Sequence, residues 1–192
     1  MSPAAQTPED DGKVRCGWAG ASQLYRDYHD TEWGQPLHGD DALFERVCLE
    51  AFQSGLSWIT ILRKRPAFRA AFDGFLIDKV AEYTDADVDR LLADPGIVRN
   101  RAKVLAAIAN AKVARDLDPG LDRLLWSFAP APRPRPRTLA DVPAVTPEST
   151  ALAKELKRRG FRFVGPTTAY ALMQATGMVD DHLADCWVHP KR

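Results

Sequence analysis

Two histidine–cysteine pairs at opposite ends of the sequence could together bind one metal ion. Cys16 and His29 lie near its start, and His182 and Cys186 lie near its end. A histidine and a cysteine four positions apart share one face of a helix, and two of each complete the tetrahedral shell that zinc prefers. The spacing differs from that of a zinc finger, and two buried cysteines beside two surface histidines would explain the same residues. The pattern alone leaves both interpretations open.

A single carboxylate, Glu50, lies among many aromatic residues. If its segment is a helix, Glu50 falls at the border between the apolar and polar faces, together with Gln53 and Arg46. A surface ion pair between Arg46 and Glu50, one helical turn apart, is one interpretation. The alternative is a receptor for a flat cationic ring, formed by aromatic faces around the carboxylate. The aromatic residues in the flanking segments are Trp18, Tyr25, Tyr28, Trp33 and Trp58.

A turn followed by basic residues could bind phosphate. Gly96 interrupts two helical patterns, and we expect it to adopt a positive φ in the turn between them. Backbone N–H groups at the start of the second helix would then point outward and, with the helix dipole, attract a phosphate oxygen. A plain pair of antiparallel helices with a solvated basic face explains the same pattern. The basic residues that would add affinity for a phosphate backbone are Arg99, Arg101 and Lys103.

Helical periodicity dominates the segments that must position these groups. Apolar residues recur at helical spacing from Asp40 onward, and Asp40 and Asp41 suit a helix N-terminus. The next helical segment contains Pro66, which we expect to kink or divide it. No useful stretch alternates between apolar and polar residues, so the chain is predicted to be all-α. The predicted helices cover 40–55, 57–72, 78–83, 85–93, 99–117, 146–159 and 166–176.

Two segments do not fit a regular element. Residues 1–13 are rich in proline, alanine and acidic side chains, and we predict a disordered tail there. Residues 129–147 are rich in proline and include the sequence RPRPR. We expect this second segment to be an ordered or semi-rigid connector that carries a cationic patch.

Length and composition are typical of one globular domain. The chain has 192 residues, 45% of them hydrophobic and 27% charged, so we predict a single domain over 14–192. No run of about 18 apolar residues occurs and the N-terminus is acidic, which argues against a membrane span and a signal peptide. Three cysteines, an odd number, suit a reducing compartment. We therefore expect a cytoplasmic monomer with no membrane partner.

The net charge of zero conceals an uneven distribution. Residues 1–98 carry 10 Lys and Arg against 17 Asp and Glu, whereas residues 99–192 carry 16 against 9. A basic half can contact phosphates while an acidic half faces away. Zero net charge therefore does not exclude a nucleic acid as partner.

Six segments of the sequence, which contain most of the candidate residues described above, resemble in their order the type I 3-methyladenine DNA glycosylases. That family belongs to the helix-hairpin-helix DNA glycosylases. The resemblance extends from about residue 14 to residue 188 with plausible spacing throughout. The matching segments are RCGW (15–18), YHDTEWG (28–34), CLE with QSGLSW (48–58), GIVRNRAK (96–103), KRRGFRFVG (157–165), and DH (181–182) with Cys186.

The resemblance implies a role for each candidate residue. Glu50 would be the catalytic group and would recognise a base flipped out of the duplex. Tyr28 and Trp58 would stack on the two faces of that base. One structural Zn²⁺ would tie the chain ends together, held by Cys16, His29, His182 and Cys186. The further base-binding positions would be Tyr25, Trp18, Trp33 and Gln53. A helix-hairpin-helix unit at about 85–115 would grip DNA, and Leu56 would enter the duplex. The DNA-binding residues would be Gly55, Leu56, Gly96, Ile97, Arg99, Arg101 and Lys103.

The activity implied by the resemblance is base-excision repair. A monofunctional glycosylase would hydrolyse the glycosidic bond of 3-methyladenine in alkylated double-stranded DNA and leave a free base and an abasic site. No residue is assigned to activate the attacking water. Two alternatives stay open: a non-catalytic DNA-binding module stapled by zinc, and a structural zinc protein without a nucleic-acid partner.

Overall fold

The computed structural model describes residues 11–190, and its regular structure there is helical. No β-strand occurs within that range, which confirms the prediction of an all-α fold. Short 3-10 turns lie at Gly17–Ala21, Asp73–Phe75 and Leu139–Asp141. The α-helices are α1 (Gln23–Thr31), α2 (Asp40–Gln53), α3 (Trp58–Ala71), α4 (Ile77–Ala81), α5 (Asp85–Ala93), α6 (Arg101–Arg115), α7 (Leu121–Trp126), α8 (Pro147–Arg159) and α9 (Pro166–Ala175).

Helix α2 lies at the centre of the fold, with most of its residues buried. Helices α3, α6, α7 and α9 all pack against it. Gly39 precedes the helix at a φ of 94°, a conformation that favours glycine. Asp40 and Asp41 occupy the first turn, where acidic side chains interact favourably with the helix dipole. Because neighbours surround α2, a side chain near its end, such as Glu50, is held in a fixed position.

Helix α3 is continuous from Trp58 to Ala71 and includes Pro66, so Pro66 does not divide it as one of the two predicted outcomes required. Proline removes one backbone hydrogen bond and crowds the preceding turn. Ile61 and Leu62 before it and Phe68 after it are all buried in the core. Their packing stabilises helical turns on both sides of the proline.

Helices α5 and α6 pack against each other and are joined by residues 94–100. Gly96 does not have the positive φ that we expected. It is needed instead for close approach, because a Cβ atom there would lie 2.9 Å from the Cβ of Ala67 in α3. The N–H of Gly96 donates to Asp94 (2.7 Å), and the N–H of Lys103 donates to the Asn100 side chain (3.1 Å). These two N–H groups therefore do not point outward unpaired.

Two short helices, α1 and α7, were not predicted. Helix α1 has a mostly polar sequence, and its clearest signal is Ser22, whose hydroxyl accepts a hydrogen bond from the N–H of Tyr25. Helix α7 has only six residues and begins directly after Gly120. Packing against the rest of the chain, rather than local sequence pattern, stabilises helices this short.

The proline-rich connector is ordered, and two of the three arginines of RPRPR, Arg133 and Arg135, form ion pairs, while Arg137 is exposed. Arg133 donates to Asp181 (2.7 Å), and Arg135 donates to Asp180 (2.9 Å) and to the carbonyl of Val188 (2.8 Å). These bonds neutralise both guanidinium groups and tie the connector to the C-terminal segment.

The predicted tail lies mostly outside the described residues, which exclude 1–10. Asp11 pairs with Arg15, and the ammonium group of Lys13 lies 3.7 Å from the ring centre of Trp187. Within residues 11–190, no helix combines the length and apolar character needed to cross a lipid bilayer.

Candidate active site

A cavity of about 380 Å³ opens between α1, α2, α3 and α9, within the size range of small-molecule sites. It contains every residue that was predicted to bind the base, together with Glu50. The residues that line it are Trp18, Tyr25, Tyr28, Trp33, Glu50, Gln53, Trp58, Leu139, Val142, Ala171, Gln174, Ala175 and Asp181. Helices that are distant in sequence therefore surround one carboxylate with aromatic rings.

Glu50 is only 5% exposed, so the interpretation of a surface ion pair with Arg46 is corrected. Arg46 is also buried and pairs instead with Glu32, the residue directly after α1 (2.7 Å). Burial raises the pKa of Glu50 to about 8, and the positive charge of Arg46 opposes that rise. Among the described residues, none donates a hydrogen bond to the Glu50 carboxylate. The cavity therefore contains a buried acid whose oxygens have no protein donor.

The aromatic rings of the cavity are fixed by contacts with one another and with the backbone. Tyr28 and Trp58 lie 5.5 Å apart between ring centres, tilted by 45°, and Trp18 meets both Tyr25 and Trp33 edge to face. The hydroxyl of Tyr25 accepts a hydrogen bond from the N–H of Ile59 at the start of α3 (3.0 Å). The indole N–H of Trp58 is buried without a hydrogen-bond partner.

The four predicted metal ligands converge beside this cavity. Their ligand atoms lie within 4.8 Å of one another, and all four residues are buried. The Sγ of Cys186 is 3.5 Å from Nε2 of His29 and 3.5 Å from Nδ1 of His182. The same Nδ1 of His182 is 3.8 Å from the Sγ of Cys16. Tetrahedral zinc places such atoms roughly 3.3–3.8 Å apart. The donor set and its spacing fit a closed zinc site.

Neighbouring groups orient the two histidine rings toward the centre of this cluster. Nδ1 of His29 bonds to Asp30 (2.8 Å), which in turn pairs with Arg15, and Nε2 of His182 bonds to the carbonyl of Trp33 (3.1 Å). Such outer contacts fix the tautomer of a metal-binding histidine. Burial raises the pKa of Cys16 to about 12 and lowers that of His182 to about 4, so the bare cluster favours neutral side chains.

A protein-family model described as methyladenine glycosylase matches residues 18–189, which include all residues of the cavity. The chain belongs to the methyladenine glycosylase family.

Named relatives and solved structures agree with this assignment. The chain is 46% identical to a DNA-3-methyladenine glycosylase of Haemophilus influenzae, over 90% of this chain and 96% of that one. It is also 46% identical to DNA-3-methyladenine glycosylase 1 of Escherichia coli, over 92% and 97%. A crystal structure of 3-methyladenine DNA glycosylase I superposes with a TM-score of 0.88 at 44% identity, covering 92% of this chain and all of that one. A structure of 3-methyladenine DNA glycosylase I from Staphylococcus aureus, solved to explain 3-methyladenine recognition, superposes with a TM-score of 0.88 at 37% identity. It covers 93% of this chain and 97% of that one.

The residues predicted to contact DNA divide into exposed and buried groups in this methyladenine glycosylase. Leu56 is 42% exposed at the tip of a turn in which Gly55 has a φ of 81°, and Arg99 and Arg101 are exposed beside the α5–α6 turn. Ile97 is 2% exposed and packs in the core, so its side chain is not available to DNA.

Lys103 has a different role from the phosphate contact that was predicted. Its side chain is buried, and its ammonium group donates to the carbonyls of Phe52 (2.8 Å) and Ser54 (2.6 Å). These carbonyls end α2, where a cation interacts favourably with the helix dipole. Lys103 therefore holds the turn with Leu56 at a fixed place beside the start of α6.

Sequence reasoning missed one wall of the cavity. This wall includes Leu139 and Val142 of the connector. It also includes Gln174 of α9 and Asp181 of the segment after α9. Asp181 is buried and accepts hydrogen bonds from Gln174 (2.8 Å) and from Arg133 (2.7 Å). The only signal was the position of Asp181 beside the predicted ligand His182. Leu139 and Val142 carry no pattern of their own.

Proposed function

We propose that this protein excises 3-methyladenine from alkylated double-stranded DNA and leaves a free base and an abasic site. The observation that carries the proposal is the buried Glu50 carboxylate without a protein hydrogen-bond donor, in a cavity lined by five aromatic residues. Membership of the methyladenine glycosylase family and the names of the relatives support the same activity.

The target base must leave the duplex before it can enter this cavity. Rotating a nucleotide out of the stack costs a few kcal/mol, and damaged bases cost least. Leu56, at the exposed tip of its turn, would fill the space that the base leaves. Gly55 supplies the positive φ that brings this side chain to the tip.

The cavity would then select a base that is flat and cationic. Methylation at N3 gives the adenine of a nucleotide a positive charge, which weakens the glycosidic bond. The 5.5 Å between the ring centres of Tyr28 and Trp58 is too short to admit a base between them, so the predicted stacking on both faces is corrected. The base would instead stack on Trp58, the more exposed of the two rings, and Glu50 would accept hydrogen bonds from its N–H edge. Unmethylated adenine has no positive charge and would be held less well. Because the leaving group is already activated, the reaction does not require a strong general acid.

The raised pKa of Glu50 makes binding of a cation depend on pH. Burial favours the neutral acid below a pH of about 8 in the free protein. A cationic ring in the cavity favours the carboxylate, so its binding releases the proton from Glu50. The affinity for the charged base should therefore increase as pH rises toward 8.

The cavity lining supports a monofunctional enzyme. Forming a covalent Schiff base requires a lysine amine at the reacting carbon. No lysine is among the described residues that line the cavity. The buried Lys103 donates to backbone carbonyls.

The DNA backbone would bind along the side that presents Arg99 and Arg101. Both are exposed beside the turn at 94–100, and the start of α6 contributes the positive end of its dipole. Lys64 donates to the carbonyls of Pro95 (2.9 Å) and Gly96 (3.1 Å) and so stiffens the turn. A phosphate bound here would anchor the strand beside the Leu56 turn.

Zinc would have a structural role. Cys16, His29, His182 and Cys186 would hold one ion per chain in a closed shell that links the two ends of the chain. Their distances and buried outer partners support this assignment. A closed site has no position for a reactive water, so no catalytic step passes through the metal.

Release of free base from methylated DNA tests the proposed activity. Chromatography should detect 3-methyladenine after incubation with the protein, together with alkali-sensitive abasic sites. E50Q should lower the rate about 100- to 1,000-fold, the range for loss of one charge-stabilising group. E82Q, which alters a carboxylate 75% exposed on the surface, should leave the rate unchanged.

Two results would contradict the proposal. Salt-dependent DNA binding without any base release would support the non-catalytic DNA-binding module instead. Absence of both binding and release would leave only a structural zinc protein.

A further inference from the structure

Arg46 is a buried cation that lies next to the cavity but does not line it. It occupies α2 one helical turn before Glu50 and is 7% exposed. One terminal nitrogen donates to Glu32 (2.7 Å), and the guanidinium carbon lies 5.6 Å from the ring centre of Tyr28. The other terminal nitrogen, Nη1, is buried without a hydrogen-bond partner.

The charges around Arg46 do not cancel. Glu32 also accepts two hydrogen bonds from Arg65 of α3 (2.6 and 2.7 Å), so one carboxylate serves two guanidinium groups. This cluster of Glu32, Arg46 and Arg65 therefore carries one excess positive charge. The neighbouring carboxylate of Glu45 also acts electrostatically on Arg65, but it is paired with Arg69, so including this pair leaves the excess at one positive charge.

An ionised Glu50 would supply the negative charge that balances this cluster. Residues one helical turn apart have Cβ atoms about 5–6 Å apart, and charges interact strongly at such distances away from water. An unbalanced buried charge is costly, whether it is the cation of the cluster or the carboxylate of Glu50. Each charge therefore lowers the cost of burying the other.

We propose that Arg46 is a positioning residue of the excision reaction: its buried guanidinium, fixed by Glu32 against Tyr28, favours ionisation of Glu50, the form that binds a cationic base. The inference rests on the proposed function for its consequence in catalysis, but the effect on Glu50 is a property of the free protein. The other titratable or charged groups around this part of the cavity are Tyr25 and Tyr28 of α1, Glu32 directly after it, Glu45 of α2, Arg65 of α3, and Asp181, which is paired with Arg133.

The charge on residue 46, rather than its bulk, should control the titration of Glu50. R46M keeps an apolar stem and removes the charge, so Glu50 should stay protonated to a higher pH. R46K retains a cation that can pair with Glu32. R158M is the control, since Arg158 pairs with Glu155 on α8, away from the cavity, and is 66% exposed.

Carbon-13 NMR of labelled glutamate carboxylates measures this titration directly, with E50Q used to assign the signal. The midpoint of Glu50 should rise by about one pH unit in R46M, while R46K and R158M stay close to the wild type. This measurement requires no activity, so it separates failure of this inference from failure of the proposed function.

The pH dependence of excision gives the second test. At pH 7, kcat/KM on methylated DNA should fall about tenfold in R46M and recover to within about threefold at pH 9. R46K should follow the wild type. An unchanged Glu50 midpoint in R46M would overturn the proposal. So would an R46K profile as impaired as that of R46M, since the loss would then come from packing.

Discussion

The cavity and the Cys/His cluster are neighbours that share Trp33, yet they differ in how their polar groups are satisfied. In the cluster, each histidine nitrogen that faces away from the centre has a partner, and the backbone N–H of Leu183 donates to Cys16. In and beside the cavity, no residue within 11–190 donates to Glu50 or pairs with the indole N–H of Trp58 or with Nη1 of Arg46.

This difference separates a structural centre from a binding site. Buried polar groups are almost always satisfied in folded proteins, so an unsatisfied one indicates a missing ligand or a site of stored free energy. The cluster needs only a metal ion to be complete. The cavity needs a molecule that brings hydrogen-bond donors, a flat apolar surface and a positive charge.

If the Cys/His cluster holds zinc as proposed, loss of the metal should have the largest effect, because it removes the link between the two chain ends. We expect chelation, or C186S, to lower the free energy of unfolding by several kcal/mol, as for other structural zinc sites. Metal analysis and thermal unfolding measure this, with one zinc per chain expected in the native protein. C48A serves as the control, since Cys48 lies in the core outside the cluster and its loss should leave metal content unchanged. A metal-free native protein with an unaltered melting temperature would contradict the comparison.

Replacing Glu50 should make the protein more stable, whereas replacing a cluster residue makes it less so. The folded protein keeps the proton on Glu50 up to a pH of about 8, while the unfolded chain releases it near 4.5. The native state therefore binds more protons between these values, and stability falls as pH rises through that interval. E50Q should unfold with a free energy higher by about 2–4 kcal/mol at pH 8.5 and nearly equal to the wild type at pH 4.5. Denaturant titrations at both pH values measure the difference in free energy of unfolding between E50Q and the wild type. The same difference at both pH values would refute this prediction.

The unpartnered indole of Trp58 sharpens the distinction between stacking and hydrogen bonding. W58A should lower kcat/KM about tenfold to a hundredfold, because stacking on an aromatic side chain contributes about 1–3 kcal/mol per base. W58F keeps a ring but loses the N–H group, and we expect a loss of no more than about threefold. A W58F variant as impaired as W58A would mean that the N–H binds the substrate directly.

The smallest effect should come from the wall that sequence reasoning missed. Leu139 is half exposed and lines the cavity, so L139A should raise KM about threefold through lost apolar contact, with kcat little changed. Leu76 has a similar exposed fraction (41%) but lies outside the cavity, and L76A should leave both constants unchanged. Equal effects of the two variants would remove Leu139 from the site.

Much of the helical framework was predictable, because its signals are local. Helices α2, α5, α8 and α9 follow from apolar spacing, caps and the prolines at their starts, and the structure confirms them with shifts of a few residues at their ends. Local reasoning failed where packing decides. Pro66 is tolerated inside α3 because buried neighbours hold both halves in place, and α1 and α7 are too short for their patterns to stand out.

The candidate site was predictable from resemblance rather than from pattern. Periodicity placed Glu50 at a polar border, and only the fold shows that helices on every side bury it. Charge patterns also cannot distinguish an exposed lysine from a buried one, which is why Lys103 was assigned to DNA. Leu139 and Gln174 join the cavity from segments that lie about 90 and 120 residues beyond Glu50, and no local rule predicts such a meeting.

The ammonium group of Lys103 has a mechanical consequence. One side chain in the first turn of α6 holds the carbonyls that precede the Leu56 turn, and Lys64 holds the carbonyls of the turn before α6. If these two turns contact DNA as proposed, their separation is set before the duplex arrives. The two turns would then keep a fixed separation as the protein moves along the duplex, without loop rearrangement at each base pair. The protein would pause at base pairs that are most easily unstacked.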